Sequence, residues 1–413
     1  MPASPHIQLN VEQRKAVHTS AEKSVVLITG GAGVGKTTVL KAIYKIYDQV
    51  GIKIVQLALA GRAAKRMHEA TGRSASTIAS FLKAGKELTE VSVVVLDEAS
   101  MIDLVTMYRL LELLPNKVRI LLAGDPEQLM PVGPGLVMHA LIKVDFIPLE
   151  ELRIVKRFGG DIALAASSIR NGVWPSLTQD SDHSISFVKC ANRVNENGKN
   201  EISQKVLDLF QVDPINTQIL CARRGGPDGV KVINSICQSA LTSANQPVMV
   251  RSLQHDALVL TGFHVGDTVL CTRNMWDRGL QNGSLGKIVE IEKSTAILAN
   301  EDTEVDVNLA WVLWDDGERR PITESMLDDL ELGFAITVHK AQGSQWERII
   351  VPITGHRLLD RTMIYTAITR AQKQVVIVGD ESAAKAAVEG QPRVRLRQVA
   401  LDHHILNPVS VIN

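Results

Sequence analysis

Residues 24–38 read Ser24-Val-Val-Leu-Ile-Thr-Gly-Gly-Ala-Gly-Val-Gly-Lys-Thr-Thr38, an apolar β-branched run that breaks into glycines and then enters the helix-like stretch Lys36–Tyr47. Strand, glycine turn and helix in this order make Gly30-x4-Gly35-Lys36-Thr37 a phosphate-binding pattern rather than a chance glycine cluster. Gly30, Gly31, Gly33 and Gly35, with Ala32 and Val34 between them, let successive backbone N–H groups curl around phosphate oxygens. The helix opening at Lys36, Thr37 and Thr38 adds favourable positive partial charge. Lys36 is expected to reach the β- and γ-phosphates of a nucleoside triphosphate, and the Thr37 hydroxyl to bind Mg²⁺.

Binding a triphosphate is not hydrolysing it; hydrolysis needs a metal-side acid and a group that positions water. Asp97 and Glu98 close the apolar run Ser92–Glu98, at a strand's C-terminal end, where ligands of α/β sheets collect. Asp97 suits the Mg²⁺ shell, through water, and Glu98 the attacking water. A third strand end, Leu121–Gly135, carries Gln128 on a Gly-Asp-Pro turn, placed to sense a γ-phosphate.

Working outward, Ile52–Leu59 and Val118–Asp125 are further short apolar runs separated by helix-length segments, the pattern of a parallel α/β sheet. A second set follows at Ile185–Cys190, Thr217–Ala222, Ala335–Lys340, Glu347–Ile353 and Gln374–Asp380, which predicts a second α/β domain. Between 262 and 323 the texture changes to short strands with hairpin signals at Asn282-Gly283 and Asp316-Gly317, read as a small all-β insertion. The Arg393/Arg395/Arg397 alternation near the C-terminus reads as an exposed strand edge.

With 45 basic and 45 acidic residues the chain carries no formal net charge, which excludes a diffuse basic coating of nucleic acid but not a local track. The four cysteines show no Cys-x-x-Cys spacing and are expected to be reduced thiols. Without a signal pattern in Met1–Asn10 or an apolar run of membrane-spanning length, a soluble, cytoplasmic protein is expected.

In order and wording these motifs resemble superfamily 1 helicases, specifically the RecD/Dda branch (superfamily 1B) of 5′→3′ DNA translocases. The resemblance also rests on Leu9–Val17, Gly61–Leu82, Arg223–Asn234, Gly266–Glu292, Ala335–Gln345 and Met363–Ala371, and it covers roughly residues 8 to 380. It implies a RecA-like first domain at 1–150, a RecA-like second domain at 151–261 and 324–390, an SH3-like insertion at 262–323 and a tail at 391–413. It implies that Gln13 reads the adenine, that Arg370 is an arginine finger with Arg157 a second γ-phosphate arginine, and that Gly343 and Gln345 face nucleotide. Single-stranded DNA would be gripped by Arg62, Lys65, Arg66, Thr77, Asn274, Thr337 and His339. RNA remains an alternative polymer, a protein could dock on the insertion, and a monomeric motor acting in DNA repair or recombination is expected.

Departures from the family pattern sharpen this reading. Leu59-Ala60 replaces Pro-Thr, Ala79 replaces His, Phe158 replaces Gln, and Gln345 stands where relatives carry Glu. Only residues 83–90 occupy the place of the duplex-splitting β-hairpin pin, too few for a projecting hairpin, so translocation with weak unwinding is expected. The competing reading is an ATPase switch or accessory subunit without strand separation.

Overall fold

In the computed structural model, residues 8–85, 88, 91–154, 160–196, 198–252, 257–292 and 306–407 are described. The first domain is a six-stranded sheet of β1 (Val25–Gly30), β2 (Lys53–Ala58), β3 (Ala75–Thr77), β4 (Ser92–Asp97), β5 (Arg119–Gly124) and β6 (Leu149–Leu152). The order is β3-β2-β4-β5-β1-β6 and every neighbour is parallel. The four central strands are the four apolar runs of the sequence, because a strand covered on both faces is apolar at nearly every position. The two edge strands, Ala-Ser-Thr and Leu-Glu-Glu-Leu, are short and carry no such run.

Four helices set the site in this domain: α1 (Val11–Glu22), α2 (Lys36–Gln49), α3 (Gly61–Thr71) and α4 (Ile78–Ala84). Helix α1 starts at a capping box between Asn10 and Gln13, and α2 starts at Gly35, whose φ of 89° lies in the left-handed region.

The second domain is a five-stranded parallel sheet. Its strands β7 (Ile185–Lys189), β8 (Thr217–Cys221), β16 (Ala335–Thr337), β17 (Trp346–Ile353) and β18 (Ala371–Gly379) lie in the order β16-β8-β17-β18-β7. Ile219, Ile350 and Val376 are fully buried at its centre.

Between β8 and β16 runs an antiparallel region: a hairpin of β9 (Pro247–Ser252) and β10 (Ala257–His264), then β11 (Thr268–Cys271), β12 (Leu285–Ile291), β13 (Asn308–Trp314), β14 (Arg319–Thr323) and β15 (Leu330–Leu332). Val248 and Phe263 of the hairpin share one core with Val312, Trp314 and Ile322. The all-β region therefore spans 247 to 332, wider than the expected 262–323, because the Asn-Gly and Asp-Gly signals mark only its inner turns.

The tail is not a strand edge. Arg393–Leu396 and Leu401–Leu406 are helical, and the segment returns to the first domain. Arg397 donates to the Pro131 carbonyl at 2.7 Å and to the Gly133 carbonyl, and Lys143 pairs with Asp402 at 3.4 Å.

Thr77, expected at DNA, is 4% exposed, and its hydroxyl accepts from Ser80 N at 3.1 Å as the N-cap of α4. Thr77→Ala is expected to cost about 1 kcal/mol in urea unfolding, as a lost N-cap does, while leaving single-stranded DNA affinity unchanged. A drop in affinity without a drop in stability would restore the DNA role.

Candidate nucleotide site and domain seam

The ends of β1 and β4 in the first domain and of the loop after β16 in the second converge on one cleft of about 760 Å³. Gly31, Ala32, Gly33, Gly35, Lys36, Thr37 and Thr38 line it, facing Asp97, Glu98 and Gln128, with Gly343, Gln345 and Arg370 from the second domain. Gly30 and Val34 stand behind this surface. The Lys36 ammonium donates to the carbonyls of Gly30 at 2.6 Å and Gly31 at 3.0 Å.

Glu98 has a φ of 52°, the sole positive φ at a non-glycine residue among those described. An L-residue in this left-handed region costs about 1–2 kcal/mol, and the turn throws its carboxylate into the cleft instead of along the strand. Asp97 Oδ1 accepts from Glu98 N at 2.9 Å. Burial pushes the Asp97 carboxyl up to about 6, and the neighbouring Glu98 charge adds to that; the Glu98 amide, Lys36 and Arg66 work against it.

Arg370 is 4% exposed and crosses the seam: its guanidinium donates to Gln128 Oε1 at 3.0 Å and to the Thr366 carbonyl at 3.1 Å, and lies 4.0 Å from Glu98 Oε1. Gly343, at a φ of 73°, sits so close to α3 that an added Cβ would meet Ala63 N at 2.7 Å, so glycine is required there twice over.

Several expected residues are placed differently. The Gln13 amide is fully buried, taking Asn10 N at 3.1 Å and giving to the Val34 carbonyl at 3.0 Å. The oxygen thus closes the α1 capping box, and the nitrogen braces the phosphate loop through Val34. Arg62, Lys65 and Arg66 do not form an open face for DNA. Arg62 donates to Ser344 Oγ at 3.0 Å, pairs with Asp315 and lies over the Trp346 ring at 5.7 Å; Lys65 donates to the Asp315 carbonyl at 3.2 Å. Arg66 donates to the Gly343 carbonyl at 3.2 Å and reaches the cleft. The spacing of these cations along α3 is as the sequence implies, but their partners are the second domain and the insertion.

Thr337 Oγ1 accepts from Lys340 N at 3.3 Å, His339 is exposed, and exposed Asn274 accepts from Asn282 N at 2.9 Å. Gln342 is 3% exposed, and its amide has no hydrogen-bond partner among the described residues. Arg157, Phe158 and residues 86, 87, 89 and 90 of the 83–90 segment lie outside the described residues.

The chain is similar to known helicases over most of its length. An AAA domain family model matches residues 8–193, and a UvrD-like helicase C-terminal domain model matches 332–378. The chain is 30% identical over 407 residues to the ATP-dependent RecD2 DNA helicase of Deinococcus radiodurans, covering 96% of itself and 52% of that protein. It is 29% identical to the RecBCD enzyme subunit RecD of Mycolicibacterium smegmatis, covering 92% of itself and 73% of the relative. The chain is a RecD-type helicase homologue. It spans about half the length of the RecD2 relative. A crystal structure of Pif1 helicase from Bacteroides in complex with ADP-AlF3 and single-stranded DNA shares the fold, with a TM-score of 0.57, 18% identity and coverage of 94% and 96% of the two chains.

Further residues join the first domain to the second beside this cleft without a motif of their own. Asp125 is fully buried, accepts from the Tyr365 hydroxyl at 2.8 Å and faces Arg170 at 3.5 Å. The sole signal available was their place in motifs already singled out: Asp125 on the turn with Gln128, Tyr365 five residues before Arg370.

Raised above its unfolded value of 3.8, the Asp97 carboxyl binds more proton in the folded protein than in the unfolded chain as pH climbs from about 4 to about 6. Its contribution to stability therefore falls through that window and stays unfavourable above it. Thermal melts in EDTA without nucleotide are expected to show Asp97→Asn more stable than the parent at pH 7.5, with the difference vanishing near pH 4. A variant less stable at pH 7.5 would contradict this.

Proposed function

We propose that the chain hydrolyses ATP in the inter-domain cleft and uses the cycle to move along single-stranded DNA in the 5′→3′ direction, as a monomer. The observation that carries this reading is Arg370, which reaches from the second domain to Gln128 and Glu98 of the first. A cleft built from both domains is held more tightly when a triphosphate offers contacts to both, so loss of the γ-phosphate loosens it.

Within that reading, Lys36 and the amides of Gly31–Thr38 hold the β- and γ-phosphates. Arg370 neutralises charge spreading over the transferred phosphoryl group, with Gln128 held in place by it and Arg157 as a second cation. Glu98, aimed by its left-handed backbone, accepts a proton from the attacking water and orients it. Gly343 and Gln345 close the nucleotide's outer edge, where neutral Gln345 accepts from a ribose hydroxyl.

The Thr37 hydroxyl and the Asp97 carboxylate suit Mg²⁺, a hard cation that keeps several waters and takes few protein oxygens. The burial that raises the Asp97 proton affinity also favours a cation beside it. Bound there, Mg²⁺ would supply charge neutralisation at the β- and γ-phosphates.

The Pif1 structure holding single-stranded DNA supports DNA as the track. Exposed His339 and Asn274, with Thr337, are the expected residues left free to meet phosphates. With so short a segment at 83–90, duplex separation is proposed to be weak for the chain alone and to depend on a protein partner, for which the antiparallel insertion is the proposed docking point. Work on DNA during repair or recombination, inside the cell, is the proposed setting, and the likeness to RecD proteins supports it.

The deciding experiment compares ATPase rates without polymer, with single-stranded DNA and with RNA. The account expects stimulation by DNA of at least about tenfold, loss of turnover in Lys36→Ala, and a Glu98→Gln variant that still binds nucleotide while its kcat falls about 10²–10⁴-fold. Equal rates with and without either polymer would sink the motor; stimulation by RNA alone would replace its track. Streptavidin displacement from the 3′ but not the 5′ end then checks direction.

A further inference from the structure

The nucleotide site as proposed leaves one close neighbour of the phosphate loop without a role. Tyr365 lies in the helix Arg361–Ile368 of the second domain and is 2% exposed. Its hydroxyl donates to Asp125 Oδ2 at 2.8 Å and accepts from Ala32 N at 3.3 Å. A Cβ built on Gly31 would stand 3.0 Å from the same oxygen. One phenol thus touches the loop proposed to hold phosphate and the turn that carries Gln128.

Two residues close to it in the chain bind the same turn. Thr366 Oγ1 accepts from Leu129 N at 3.0 Å, and Arg370 holds Gln128 Oε1. Asp125 in turn accepts from Glu127 N at 3.2 Å and faces Gln128 Nε2 at 3.5 Å, so its carboxylate fixes the course of the turn. A fully buried carboxylate is tolerated only when its oxygens are filled by donors. Tyr365 supplies a hydroxyl donor from across the seam. The ring packs in the second domain's core beside Ile364 and Ile368, so the hydroxyl is held at a fixed height above the loop.

We infer that Tyr365 is a positioning residue for ATP hydrolysis: its hydroxyl locks the Ala32 segment of the phosphate loop to the Asp125–Gln128 turn when the domains are closed. Gln128 and Arg370 are thereby set in register with the phosphate to be cleaved. Tyr365 need not touch the nucleotide. Opening the seam breaks both of its contacts at once, so the loop and the turn are aligned in the closed state alone. This rests on the hydrolysis reading above.

The test is steady-state ATPase with saturating single-stranded DNA, paired with binding of a fluorescent ATP analogue, for the parent, Tyr365→Phe, Asp125→Asn and the double variant. A parent without ATPase would fail the hydrolysis reading, and the inference with it. With an active parent, Tyr365→Phe keeps the packed ring. It is expected to bind the analogue within about 3-fold of the parent while kcat falls about 10–100-fold, the scale of one hydrogen bond to a buried charge. Because both residues act through one bond, the double variant should be no slower than the slower single variant, within about 2-fold. A Tyr365→Phe kcat within about 2-fold of the parent, a loss confined to KM, or effects that multiply in the double variant would each overturn the inference. Should Tyr365→Phe fold poorly, Asp125→Asn carries the same kcat-against-KM comparison.

Discussion

The Arg370 guanidinium, buried between two parallel-sheet domains and hydrogen-bonded to Gln128 of the first, is the contact around which the cleft is organised. A buried cation must have its donors filled, and here the fillers come from both domains: Gln128 on one side, Thr366 and Thr369 on the other. Glu98 completes the surroundings at 4.0 Å, close enough to attract but outside hydrogen-bonding distance. Around Arg370 the seam is polar, while Leu129 of the first domain joins the apolar core of the second.

That polarity continues along the seam. Arg62, Lys65 and Arg66 on α3 meet Ser344, Asp315 and Gly343, so the helix that lines the cleft also carries the insertion. Charge-assisted contacts of this kind hold geometry tightly yet exchange for water or phosphate at modest cost. An inter-domain surface built from them suits a protein whose domains are proposed to move relative to one another at every turnover. The tail, tied to Pro131 and Gly133 by Arg397, adds a hydrogen-bonded tether between the same two bodies.

The parts of the fold legible in the sequence were those with a one-dimensional signature. Strands such as Val25–Gly30 and Ser92–Asp97 are covered on both faces and so read as unbroken apolar runs, while Ala75–Thr77, at an edge, left no trace. The phosphate loop was legible because its chemistry is local: a glycine turn feeding a helix. Partners across the chain were not. Nothing in Gln13 shows that its amide would be consumed by Asn10 and Val34, and nothing in the spacing of Arg62, Lys65 and Arg66 distinguishes a DNA phosphate from the Asp315 carboxylate. Tyr365 and Asp125 are 240 residues apart, and their bond exists only once both domains have folded and met.

The central claim is that catalysis requires a group delivered across the seam by the second domain. Single-turnover hydrolysis by Arg370→Ala, at ATP concentrations that saturate the site, tests it most directly. The account predicts a bound nucleotide that is cleaved about 10³-fold or more slowly than in the parent, the scale of a lost arginine finger. Cleavage within about tenfold of the parent rate would show that the first domain catalyses hydrolysis by itself and would contradict the account.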